Sequence, residues 1–209
     1  MPVTVCWSVK GGSGTTVVAA TLALSCPTAS LLVDLDGELP AVLGLPEPSG
    51  QGVADWLGSD APPGALDDLA VFVDRTTRLI PRGTRAVDLR STRWAELATW
   101  LATGPASVID AGTNPPSLDL LDGDVRSLLV TRACYLALRR AAAAPCRPDG
   151  VVLVSEPGRA LRAADVARAV GAPVVASVSH NPAIARAVDS GLLTARLPRL
   201  LTRELRGAA

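Results

Sequence analysis

The sequence predicts an α/β fold: one doubly wound, mostly parallel sheet with helices on both faces. Three observations carry this expectation. Short apolar segments rich in Val, Leu and Ile recur along the chain, and they are apolar throughout instead of alternating with polar residues. That pattern belongs to strands buried on both faces, as in parallel sheets. Between them lie stretches rich in Ala, Leu and Arg with apolar residues at helical spacing. No internal repeat or linker interrupts this alternation, so residues 1–209 are expected to form a single domain.

Val3–Val9 reads as the first strand and Thr15–Ser25 as the helix after it, with Ala and Leu on its buried side. Ser30–Asp34 is a second strand, preceded by Pro27. Gly37–Gly52 is dense in Gly and Pro and reads as loop. Val53–Leu57 is a short helix carrying Trp56 as a packing residue, and Pro62–Ala70 a candidate helix. Val71–Val73 and Thr77–Ile80 are weak strand signals. Thr92–Ala102 is helical, with Trp94, Leu97, Ala98 and Leu101 on one face. Ser107–Asp110 and Ser127–Thr131 are strands, and Tyr135–Ala144 is a helix closed by Pro145. The strand Val151–Ser155 is followed by the helix Leu161–Val170, stopped by Gly171 and Pro173. Val174–Val178 is a strand, Pro182–Ser190 a helix ended by Gly191, and Pro198–Arg206 a terminal helix.

Composition narrows the class. The chain is 48% hydrophobic but only 3% aromatic, so the core must be built from small aliphatic side chains. No apolar run approaches the ~18 residues of a membrane span, and no basic, cleavable leader is recognisable at the N-terminus. Cys6, Cys26, Cys134 and Cys146 show neither zinc-ligand spacing nor the density of a disulfide scaffold. A cytoplasmic protein with reduced thiols is expected. Acidic residues concentrate before residue 126 and arginines after it, which suits either a nucleic-acid or acidic-partner surface or internal charge balance.

Of 20 basic residues only one is lysine, Lys10, and it opens the glycine-rich segment "KGGSGTT" at Lys10–Thr16. A compact ammonium suits a phosphate, and an arginine fork is not its equivalent. Gly11, Gly12 and Gly14 allow backbone N–H groups to converge on an anion, and the helix that follows adds its positive end. In a doubly wound sheet ligands bind beyond the carboxyl ends of the strands. The chemistry is therefore expected at Lys10–Thr16, Asp34–Gly37 and Asp110–Pro116, and in the loops starting at Arg132, Glu156 and Ser179.

This segment resembles the deviant Walker A motif of the ParA/MinD family of P-loop ATPases, which reads Lys-Gly-Gly-x-Gly-Lys-Thr. The resemblance implies a SIMIBI-like P-loop NTPase fold and binding of ATP and Mg²⁺ by Lys10, Gly11, Gly12, Ser13, Gly14, Thr15 and Thr16. Lys10 matches the signature lysine, which in the family reaches the nucleotide of the partner subunit in an ATP-sandwich homodimer. Thr16 matches the Mg²⁺ ligand. Thr15 departs from the family, because it occupies the place of the lysine that grips the subunit's own β- and γ-phosphates. "LLVDLDGELP" resembles switch I, with Asp36 orienting the attacking water and Asp34 near Mg²⁺, although Gly37-Glu38 replaces the family's Pro-Gln. "SVIDAGTNPP" is similar to Walker B and switch II, with Asp110 in the Mg²⁺ shell. The segment from Val174 to Leu193 resembles the region beside the base, where His180 and Asn181 are either base neighbours or, for Asn181, the cap of the next helix. The compact TadZ/CpaE-like branch, whose members position pilus or secretion machinery and often carry degenerate loops, is the part of the family it most resembles.

The resemblance implies a nucleotide-dependent dimer switch that positions cargo, slowed or silenced by Thr15. The alternative is a catalytically inactive, nucleotide-free scaffold or partner-binding protein. A protein partner or cargo is expected in either case. Non-specific DNA binding through Arg139, Arg140, Arg159, Arg162 and Arg168 is possible, against the plainer expectation of solvated faces and ion pairs. The final segment carries Leu197, Leu200, Leu201 and Leu205, but Glu204 falls within that face, so packing against the sheet is expected over membrane attachment.

Overall fold

The computed structural model describes residues 3–195 and 201–208. The elements, in chain order, are β1 (Val3–Trp7), α1 (Thr15–Leu24), β2 (Ser30–Asp34), α2 (Leu39–Leu43), α3 (Val53–Leu57), α4 (Ala65–Asp68), β3 (Val71–Phe72), β4 (Thr77–Ile80), α5 (Trp94–Thr103), β5 (Ala106–Asp110), α6 (Leu118–Leu121), β6 (Val125–Arg132), α7 (Tyr135–Ala142), β7 (Gly150–Ser155), α8 (Ala163–Val170), β8 (Val174–Ser179) and α9 (Pro182–Asp189). The described strands join one sheet in the order β3-β4-β2-β5-β1-β6-β7-β8. Every pairing is parallel except that of the short edge strand β3 with β4.

Successive residues of a strand face opposite sides of a sheet, and here both sides are apolar. Val3, Val5 and Trp7 of β1, Leu31 and Val33 of β2, and Val151 and Leu153 of β7 point into one core, closed by α3, α5, α7 and α8. Cys6, Leu32, Leu128, Val130, Val152 and Val154 point into the other, closed by α1, α2 and α9. This is the physical reason the strands read as continuous apolar runs. Trp7 carries a polar atom into the first core, and its indole N–H donates to the Ser127 hydroxyl at 2.9 Å.

Two short helices were not expected from the sequence. The stretch Gly37–Gly52, expected as loop, contains α2. Pro40 occupies its first turn, where a missing N–H costs nothing, and Leu39, Val42 and Leu43 are buried at helical spacing. Gly44, at φ 72°, ends it. The second, α6, follows the β5 loop. Of the expected terminal helix Pro198–Arg206, residues 198–200 lie outside the described residues, as does Leu197. Leu201 and Leu205 are buried in the second core, and Glu204 accepts a hydrogen bond from the Ser179 N–H at 3.3 Å. That bond accounts for a carboxylate on the apolar face. Among the described residues no helix is long and apolar enough to cross a membrane. All four cysteines are free thiols.

Removing a fully buried strand side chain leaves a cavity that the surroundings refill only in part. Leu32→Ala, in β2, is expected to cost about 2–5 kcal/mol in urea denaturation. Phe72→Ser, on the exposed edge strand β3, is expected to stay within about 0.5 kcal/mol.

Candidate functional site

The central strand β1 has β5 on one side and β6 on the other, while the chain leaving β1 crosses over β5 to reach β2. The carboxyl ends of these strands therefore bring three loops together: 8–14, 35–38 and 111–117. Backbone bonds hold them in place. The Ser8 N–H donates to the Gly112 carbonyl at 2.8 Å, the Ala111 N–H to Cys6 at 2.9 Å, and the Leu35 N–H to Asp110 at 2.8 Å. The Ser8 hydroxyl adds a bond to the Gly112 carbonyl at 3.1 Å.

Within the first loop the Ser13 hydroxyl donates to the Lys10 carbonyl at 2.6 Å, closing the turn. Gly12 and Gly14 have φ of 73° and 89°, a conformation that side chains with a Cβ resist. A Cβ added at Gly11 or Gly12 would meet no atom within 4 Å, and at Gly14 only Val154 at 3.9 Å. The glycines are thus not forced by crowding; they leave an open cradle over the N-terminus of α1. A cavity of about 340 Å³ lies over it, lined by residues 11–17 with Ser8, Asp36, Glu38, Gly112 and Thr113 among its other walls. Its charged lining residues are both acidic, Asp36 and Glu38. Thr15 is buried and faces this cavity without supplying charge. Lys10 does not line it, and no described residue pairs with the Lys10 ammonium.

Below the loop, Asp34 and Asp110 are neighbours in the β2–β5 register and both fully buried. Asp34 accepts N–H bonds from Asp36 at 3.0 Å, Gly37 at 2.6 Å and Leu39 at 3.1 Å. Its carboxylate organises the 35–38 turn and presents little to a metal ion. Burial nevertheless pushes its pKa up to about 6, against the pull of those donors. Asp110 is pushed up to about 7, by burial first, with the Asp34 charge adding to it and the Thr16 hydroxyl pulling the other way. Its Oδ1 accepts the Gly112 N–H at 3.1 Å, while its buried Oδ2 makes no full hydrogen bond.

An orphaned buried carboxylate oxygen beside a threonine hydroxyl is a set of donors that fits Mg²⁺. That ion keeps several waters and takes ligand phosphate oxygens instead of requiring a protein-only cage. Consistently, no three Asp, Glu, His or Cys side chains among the described residues are grouped to hold a metal by themselves. Of the three candidate metal ligands, Thr16 and Asp110 meet this requirement, and Asp34 stands behind them.

The Asp36 carboxylate lies against Gly112, where a Cβ would come within 2.2 Å of it. Sequence reasoning missed the residue that fixes this loop from outside. Arg82, after β4, donates to the Asp36 carbonyl at 2.6 Å, and its guanidinium packs against Gly37. Gly37 has φ 96°, which a proline cannot adopt, and a Cβ there would lie 2.7 Å from the Arg82 Cζ. This turn therefore accepts neither a proline nor a Cβ at Gly37 unless Arg82 moves. No motif pointed to Arg82, because the contact joins positions 46 residues apart.

A second cavity of about 270 Å³ shares Ser13, Gly14 and Val17 with the first and extends between α1 and α9. Val154, Val178, Ile184 and Val188 make it apolar, and His180, Asn181 and Arg132 stand on its walls. The Asn181 side chain accepts the Ala183 N–H at 2.9 Å and caps α9. It therefore both caps and lines. The arginines considered for DNA are largely engaged: Arg159 pairs with Glu156, Arg168 with Asp165, and Arg140 reaches the Val9 carbonyl at 3.3 Å.

No protein-family model matches the sequence, and no curated protein does. Solved structures do match. A ParA family ATPase from Chlorobium tepidum TLS superposes with a TM-score of 0.74 at 19% identity, covering 98% of this chain and 95% of that one. The septum site-determining protein MinD of Pyrococcus horikoshii OT3, complexed with Mg-ADP, gives 0.71 at 20% identity, with 95% and 90% covered. A chain of the MinC:MinD cell division protein complex of Aquifex aeolicus gives 0.74 at 17%, with 99% and 95% covered. The chain has the fold of the ParA/MinD ATPases.

The raised carboxyl values carry a sign. Between the ordinary Asp value of 3.8 and about 7, the folded chain holds more protons than the unfolded one, so stability falls as pH rises through that window. Asp110→Asn, which keeps the shape without the charge, is expected to raise Tm at pH 8 by a few degrees and to flatten the decline between pH 4 and pH 7. In a chain of this size about 1 kcal/mol moves Tm by about 2–4 °C. An unchanged pH slope in scanning calorimetry would count against a buried, uncompensated Asp110.

Proposed function

We propose that this chain is a single-domain member of the ParA/MinD family, acting as a nucleotide-dependent homodimer switch whose ATP hydrolysis is weak or absent. The observation that carries it is an open glycine cradle at the head of α1 with Thr15 where the subunit's own phosphates would meet a lysine. The ParA/MinD fold supports the same reading.

In this proposal the N–H groups of Gly11–Thr16 and the N-terminal end of α1 hold the phosphates. Thr16 and Asp110 hold Mg²⁺, which when bound neutralises phosphate charge. Asp36, seated against Gly112, orients the attacking water, and Asp34 fixes the turn that carries it. Lys10, outside the cavity, is left to reach a partner subunit's nucleotide. The apolar cavity between α1 and α9 takes the base. A hydrogen bond to a charged group is worth about 1.5–3 kcal/mol, so the loss of the loop lysine weakens binding by about one to two powers of ten. Hydrolysis suffers more, because charge builds on the transferring phosphoryl group.

A second reading is an inactive scaffold. The acidic lining of the loop cavity favours it, since Asp36 and Glu38 repel a polyphosphate. In either case a cytoplasmic role in positioning a cargo, as in the TadZ/CpaE-like branch, with a protein partner, is the biological setting we propose.

Thr15→Lys is expected to tighten ATP–Mg²⁺ binding in calorimetry by about ten- to a hundredfold, and to raise phosphate release by a larger factor. Unchanged affinity would mean that this loop is not where phosphates sit. In the Thr15→Lys background, Lys10→Ala is expected to abolish ATP-induced dimers in light scattering while monomers still bind ATP. Dimers that persist would remove Lys10 from the partner's site.

A further inference from the structure

No cation among the described residues lines the loop cavity, but one lines the apolar cavity that adjoins it. Val130 and Val154 lie on the face of the sheet covered by α1, and Arg132, two residues after Val130, points to that same face. Arg132 is also in register with Val154, the residue whose methyl group approaches Gly14. The last position of β6 therefore ends beside the glycine loop. There Arg132 lines the apolar cavity at the end it shares with Ser13 and Gly14. Among the arginines and the lysine of the described residues, Arg132 alone lines either of the two cavities.

The guanidinium is held in place. Its Nη1 donates to the Glu156 Oε1 at 2.7 Å. The other oxygen of Glu156 is taken by Arg159 through both Nε and Nη2. Two guanidinium groups share one carboxylate, so the cluster keeps a net charge of +1 and Glu156 does not cancel Arg132. The Nε of Arg132 is buried without a hydrogen-bond partner. Its side chain as a whole is 33% exposed, open enough for a ligand to reach. A held, net positive guanidinium, partly exposed in the cavity that adjoins the glycine loop at Ser13 and Gly14, is placed to meet an anion bound there.

We infer that Arg132, positioned by Glu156 and Arg159, binds a phosphate group of the nucleotide and replaces the charge missing at Thr15. This rests on the nucleotide-binding reading above. An arginine entering from β6 contacts the phosphates from the base side of the loop, not from inside it. It supports binding of nucleoside di- and triphosphates without standing where a loop lysine follows the transferring phosphoryl group. The inference thus accounts for a chain that keeps its nucleotide while losing turnover.

Calorimetry with ATP–Mg²⁺ and ADP–Mg²⁺ on the full chain tests it. Arg132→Gln is expected to weaken both by tenfold or more, Arg132→Lys to recover part of the loss, and Thr15→Lys added to Arg132→Gln to recover most of it. Equal affinities for the unmutated chain and a folded Arg132→Gln, matched in far-UV circular dichroism, would overturn the inference while leaving nucleotide binding intact. Absence of ATP binding by the unmutated chain, with Thr15→Lys equally silent, would overturn the underlying reading and this inference with it. An independent measurement needs no variant fold. The arginine Nε–H resonance of Arg132, assigned in the unmutated protein, is expected to shift on adding ATP–Mg²⁺ and to stay in place with adenosine. A resonance unmoved at saturating ATP–Mg²⁺ would overturn the inference.

Discussion

The parallel pairing of β1 with β5 is the constraint on which the rest of the site depends. It sets Cys6 opposite Asp110, and the bonds of Ser8 and Ala111 continue that register into the loops. Because β5 also pairs with β2, Asp110 comes level with Asp34. Three segments far apart in sequence are thereby fixed around the N-terminus of α1. Strand register, which apolar packing on both faces enforces, is what turns separate motifs into one site.

The electrostatics of that site are lopsided. Asp34 and Asp110 are buried beneath the loop, Asp36 and Glu38 line the cavity, and no cation among the described residues lines it, Arg82 reaching the Asp36 carbonyl from outside. Such an arrangement is costly for a bare chain, as the raised values of Asp34 and Asp110 show. The Arg132–Glu156–Arg159 cluster carries net positive charge beside the neighbouring apolar cavity, which shares Ser13, Gly14 and Val17 with the loop cavity.

Much of this was legible in the residues. Continuous apolar strands announced a sheet covered on both faces, and β2, α3 and β4 fell where local patterning placed them. The glycine loop, Asp34, Asp36 and Asp110 were visible because motif chemistry is local. The helix α2 was hidden by its Pro and Gly content, which marks a loop unless burial of Leu39, Val42 and Leu43 is known. Arg82 was not legible as a site residue, and Arg132 only as the start of a loop at the strand ends, since an arginine's partner is decided by what the fold brings to it. The cap that Asn181 makes on its own helix was foreseen, and the same residue also lines the apolar cavity.

By itself the sequence determined the fold class, the glycine-rich loop and the uncharged Thr15 beside it, because periodicity, φ freedom and side-chain charge are properties of short segments. The tertiary structure alone decided that Asp34 is spent on the turn while Asp110 keeps an oxygen free. It alone decided that Gly37 yields space to Arg82, that Lys10 stands outside the cavity, and that Arg132 ends beside Gly14. Each depends on which strands become neighbours, and that choice is made by burying two apolar faces at once.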